Sequence, residues 1–246
     1  MSSQSDARTT VEAVIARLHE ETLKRARLAP ELPASVKWDL FDVLKFTAGM
    51  SLEEITQEYQ STLYDAMWSY IATTNAPITS FRNEYRRAVN DAFNLTAVAG
   101  WADGGQPDGI SDDLQAWVNS EIDKEIEFAN GLFDDLRERK QNPDITESEN
   151  DAYISDRVNG YSGALIGIYN YAKMTAEKDR PGKWIYGDTV DHCETCEELN
   201  DSIHPLSWYL ENDYIPRQRG SATLECGGWR CDCSIVDPES GEQLIP

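Results

Sequence analysis

Through the first three-quarters of the chain, apolar residues recur at intervals of three and four, the period of amphipathic helices. Val11, Val14, Ile15, Leu18 and Leu23 mark a first helix over residues 7–29, which Pro30 stops. A connector leads to a shorter apolar piece from Trp38 to Met50. Ser51-Leu52-Glu53-Glu54 reads as a capping box opening a helix to about Thr73, with Leu52, Ile55, Tyr59, Leu63, Met67 and Ile71 as its buried stripe. Asn75 to Pro77 breaks the pattern, and the next helix runs from about Thr79 to Ala99, burying Phe81, Tyr85, Val89, Ala92, Phe93 and Leu95. Gly100 to Gly109, with four Gly and one Pro, reads as a loop. Ser111 then caps a helix to about Lys140 carrying Leu114, Val118, Ile122, Ile126, Ala129, Phe133 and Leu136. A second capping box, Thr146 to Glu149, starts a helix to about Glu177.

That last helix carries Gly160, Gly163 and Gly167 on nearly one face. Each Gly costs a helix about 1 kcal/mol relative to Ala. Close approach of another backbone would offset that cost; a locally weak helix is the plainer alternative.

After Asp179-Arg180-Pro181-Gly182 the character changes. Lys183 to Tyr186 reads as a short strand, and from there to Val236 turns, Cys and Trp dominate. The expected architecture is mainly α: a helical bundle or elongated helical body with a small C-terminal zinc-stabilised α+β module. Residues 1–180 form the helical scaffold, 181–236 the Cys-rich module, and 237–246 a polar tail with little to bury. No internal repeat is present.

Composition narrows the partners. The chain of 246 residues carries 22 Lys and Arg against 44 Asp and Glu, a net charge of −22. A field this negative repels phosphate, so direct nucleic-acid binding is not expected. Arg82, Arg86 and Arg87 cluster, but Glu84 lies among them and they read as a solvated helix face. Apolar residues at 40 % and seven Trp are too much core-forming material for a disordered acidic chain. No stretch approaches the roughly 18 apolar residues of a membrane span, and Met1 to Thr10 lacks a signal-peptide apolar segment. Synthesis and residence in a cytosol-like compartment follow. An acidic excess with few Lys also occurs in proteins of salt-rich cells.

All five Cys fall after residue 190: Cys193 and Cys196 in one turn, then, beyond a gap of 29 residues, Cys226, Cys231 and Cys233. A Cys-x-x-Cys turn presents two thiolates about one metal diameter apart, and a second turn completes a tetrahedral sulfur site. Gly227 and Gly228 permit the tight turn whose N–H groups often bond ligand sulfurs. One structural Zn2+ suits such a soft, closed set. The preferred ligands are Cys193, Cys196, Cys226 and one of Cys231 or Cys233. A set with both Cys231 and Cys233 and a spare Cys226 is the alternative, and His192 or His204 could each substitute. Weaker readings are reduced thiols in a small core, a disulfide framework, and a redox pair without its βαβ context.

Cys193-Glu-Thr-Cys196-Glu-Glu-Leu199-Asn200, Ser207-Trp208, Ile215-Pro216 and Leu224-Glu-Cys226-Gly-Gly-Trp229-Arg-Cys231-Asp-Cys233 together resemble the C-terminal module of tailed-phage minor head proteins, the head-morphogenesis proteins of the phage Mu type. The family pattern commonly places a His before the closing Cys pair; Cys226 stands roughly there, which leaves the ligand assignment open. More weakly, Tyr85-Arg-Arg87, Trp101 to Gly105, Trp117 and the helix from Tyr161 to Tyr169 are similar to the family's helical region. The resemblance implies a virion structural role. The protein would be made in the host cytoplasm and assembled into the head, against viral portal or major capsid proteins, with self-association as a further option.

No catalytic residues emerge. The helical region lacks a phosphate-binding Gly-rich loop, a Gly-x-Ser-x-Gly turn and a His-Glu-x-x-His helix. The competing classes are a zinc enzyme using Glu194, Glu197 or Asp232, and a zinc-ribbon adaptor binding another protein. The first lacks the deaminase signature, because no Pro precedes a Cys pair. A DNA-binding ribbon would want basic residues between its ligands, where only Arg217, Arg219 and Arg230 occur.

Overall fold

A computed structural model describes residues 50–106, 109–187, 193–228 and 232–246. The expected helix over 7–29 and the apolar piece from Trp38 to Gly49 lie outside the described residues. The chain divides after Gly49, and one compact unit runs from Met50 to Pro246. The described helices and the Cys-rich segment both fall within this unit.

Among the described residues, six helices come first: α1 Leu52–Ala72, α2 Ile78–Asp103, α3 Asp112–Phe128, α4 Asn130–Gln141, α5 Glu147–Ser162 and α6 Ala164–Ala176. Both expected capping boxes form, Ser51 with Glu54 at α1 and Thr146 with Glu149 at α5. Ser111 caps α3 by accepting from the Leu114 N–H at 3.2 Å. The helix foreseen over 111–140 is interrupted at Ala129, and the one over 146–177 at Gly163, each by a single residue of near-helical geometry.

Helix α2 packs along α6 and α1, and α1 also packs on α5 and α4. The shared core contains Leu63, Met67, Phe81, Tyr85, Phe93 and Phe133, with the rings of Phe81 and Tyr85 edge-on to Phe133 at 5.6 and 5.5 Å. Leu52 and Ile71 lie at its margin rather than inside. Of the arginine cluster, Arg86 and Arg87 are exposed as expected, whereas Arg82 is half-buried with its guanidinium over the Phe133 ring.

The Gly-rich segment after Ala99 is not all loop. Gly100 continues α2 and Gly104 caps it. A Cβ on Gly100 would run into the Tyr169 carbonyl, and one on Gly104 into the Ala176 side chain. Gly is needed there for close contact between two helices, not for a turn.

The remaining elements are β1 Pro181–Ile185, α7 Glu194–Leu199, β2 Ile203–Pro205, α8 Leu206–Glu211, β3 Ser234–Val236 and β4 Gln243–Ile245. The strands form an antiparallel sheet in the order β2-β1-β3-β4. A second apolar cluster lies against it: Trp184, Leu206, Tyr209, Ile215, Ile235 and Ile245 are each fully buried, and Met174 of α6 joins them. Residues 237–246 therefore correct one expectation. They are no free polar tail, because the turn Asp237–Gly241 returns the chain to pair Ile245 with Ile235. No helix among the described residues is long and apolar enough to cross a membrane.

Candidate metal centre

Cys193 stands at the N-terminal boundary of α7, and the first turn of that short helix carries Cys196 inward. Cys226 arrives from a second turn, in which the Gly227 N–H donates to the Leu224 carbonyl at 2.7 Å. Gly227 and Gly228 both have left-handed backbones, at φ +60° and +71°, which glycine adopts without steric cost. Glu225 knits the two turns together. Its carboxylate accepts from the Glu194 N–H at 2.9 Å, and its own N–H donates to the Thr195 hydroxyl at 3.4 Å.

The sulfurs of Cys193, Cys196 and Cys226 all lie within 4.8 Å of one another. Those of Cys193 and Cys196 are 3.2 Å apart. Cys233, just before β3, brings its sulfur to 3.3 Å from that of Cys196. Tetrahedral zinc with bonds of about 2.3 Å separates its ligand sulfurs by somewhat under 4 Å, so the Cys193–Cys196 pair needs to open only slightly, whereas Cys233 lies beside Cys196 but outside the group whose sulfurs all fall within 4.8 Å of one another. Cys193, Cys196, Cys226 and Cys233 are thiols, and Cys196 and Cys233 are almost fully buried. Burial works against ionisation of Cys193, but hydrogen bonds from Cys196 and Cys226 outweigh it and hold the thiol below its ordinary value. A thiol biased toward thiolate is the form that ligates metal. Cys193, Cys196 and Cys226 could hold a metal ion.

The other candidates fall elsewhere. Cys231 and His192 lie outside the described residues. His204 sits on β2 opposite Gly182, its ring stacked on Trp208 at 3.7 Å, and takes no part in the sulfur cluster. The Asp232 carboxylate accepts from Arg217 at 3.2 Å, and the Glu194 backbone N–H donates to the Glu225 carboxylate.

A second polar constellation lies in the helical body, where no sequence motif pointed. Glu125 of α3 accepts from the Tyr85 hydroxyl at 3.2 Å, and Tyr161 stands over Tyr85 with ring centroids 5.7 Å apart. Burial pushes the Glu125 carboxyl up to about 7, against the pull of Tyr85 and of the Arg219 guanidinium. A signal was present: Glu125 falls on the stripe that runs from Val118 and Ile122 to Ala129.

Set against known protein families, curated proteins and solved structures, the chain matches none.

Proposed function

We propose that this protein is a structural component of a tailed-phage head, a minor head protein whose C-terminal module is locked by one zinc ion on Cys193, Cys196, Cys226 and Cys233. The observation that carries the reading is the convergence of the Cys193, Cys196 and Cys226 sulfurs from two separate turns, with the Cys233 sulfur beside that of Cys196. The Cys-x-x-Cys-x-x-Leu turn and the closing Cys turn that resemble the phage Mu type supply the sulfurs. A closed set of four thiolates leaves no open coordination position, which favours a structural ion over a catalytic one. The ion would supply cross-linking that a sheet of such short strands lacks. The helical surface would then meet portal or major capsid protein in the virion.

Two measurements test this. Native mass spectrometry should find one zinc per chain, with the ligand thiols protected from alkylation until a chelator is added. In infected cells a tagged chain should sediment with procapsids. Recovery solely as free monomer, at every stage of infection, overturns the assembly reading even if zinc is bound.

A further inference from the structure

The segment from Pro216 to Gly220 lies between the thiol turns and helix α6, and both sides grip it closely. On the helix side, the buried Asn170 amide donates to the Pro216 carbonyl at 2.9 Å. Gly167 meets the backbone of Gln218, whose Cα would be 2.9 Å from an added Cβ. Gly163 meets the Arg219 guanidinium, which occupies the place a Cβ would take. On the thiol side, Gly228 abuts the Gln218 carbonyl, so residue 218 is pressed between one glycine of the helix and one of the Cys226 turn. The Gly220 N–H donates to the Gly227 carbonyl at 2.9 Å, and Arg217 pairs with Asp232, the neighbour of Cys233.

Arg217 itself is held at φ +59°. A non-glycine residue keeps such a backbone only where its surroundings impose it. The segment is therefore shaped from outside, by α6 on one face and by the residues next to two ligand cysteines on the other. Gly160, which lies on α5 before the break at Gly163, has nothing within 4 Å. It belongs to the same stripe without sharing the contact.

We infer that the metal site is positioned from the helical body: Gly167 and Asn170 seat the Pro216–Gly220 wedge, and the wedge sets the separation of the Cys226 turn from Cys233. The inference rests on the thiol cluster being a metal site. Occupancy of the site and docking of the wedge on α6 are then coupled, and thermodynamic linkage makes the coupling reciprocal.

The test uses the full chain and Co2+, whose thiolate charge-transfer absorption reports the site directly, in competition with a chelator. Gly167→Ala should weaken binding by about fivefold or more, the size of an ordinary coupling between sites, and Gly160→Ala should leave it unchanged. Unaltered far-UV circular dichroism in both variants excludes global unfolding as the cause. In the unmutated chain, saturation with Zn2+ should slow amide hydrogen exchange over Gly163–Asn170 while leaving the first turns of α1 unaffected. If the unmutated chain shows no cobalt–thiolate band, the metal-site reading falls and this inference with it. If it binds cobalt but Gly167→Ala binds equally well, or zinc leaves exchange in α6 unchanged, the positioning role alone is overturned.

Discussion

Replacing Glu125 with Gln removes a charge that the helical body accommodates poorly, while keeping the side-chain volume and an oxygen to accept from Tyr85. An unfolded carboxyl of this type titrates near 4.5, whereas burial holds the folded one at about 7. The folded state keeps its proton longer, so the stabilisation it brings is fully present below pH 4.5 and is lost as pH rises through 7. At about 1.4 kcal/mol per pH unit, that interval corresponds to about 3 kcal/mol. Glu125 retains partial contact with solvent, so this is an upper bound and about 1–3 kcal/mol is the working range. Chemical denaturation of both proteins at pH 5 and pH 8, at fixed ionic strength, gives the difference directly. Glu125→Gln should gain on the unmutated protein by that amount between the two pH values. Parallel stability profiles would show that Glu125 is no more costly to ionise in the fold than in the unfolded chain.

Glycine substitutions should separate by what lies opposite. Gly100→Val drives a side chain into the Tyr169 carbonyl and should cost at least about 2 kcal/mol in denaturant unfolding, whereas Gly160→Ala, exposed and unopposed, should gain up to about 1 kcal/mol. Equal effects at the two positions would refute the α2–α6 contact. Ser51→Ala removes one half of a reciprocal cap and should lower stability by about 1 kcal/mol, read from the urea midpoint. Asp237 accepts from the Glu239 and Ser240 N–H groups, which hold its carboxyl down at about 2. The β3–β4 turn should therefore stay closed below pH 3.8 and open only as pH falls through 2; turn amide resonances that titrate near 3.8 would contradict those bonds.

Long periodic stretches were legible from residue order alone. Phe81, Tyr85, Val89, Ala92, Phe93 and Leu95 are all buried along α2, because a 3.6-residue stripe has one apolar face to hide. The Cys turns were legible as well, since thiol spacing is local. Apart from the meeting of the two thiol turns, contacts between distant segments were not. Gly100 read as turn chemistry, yet its reason for being Gly is a carbonyl far along the chain on α6. Gln243-Leu244-Ile245 is too short for a strand period to register, and its burial depends on β3 already being in place. Glu125 was passed over because collecting hydrophobic positions omits a carboxylate sitting among them.

The path of α6 carries one last consequence. Its first turns pack Leu165 and Ile168 into the helical core, while Met174 near its other end is buried beneath the sheet. A single rod is thus a fixture of both apolar cores, and its hydrogen-bonded backbone runs unbroken from one to the other. Force applied to the sheet would reach the bundle as tension or torque along that axis. The thiol module would then behave as a stiff lever rather than a weight on a string.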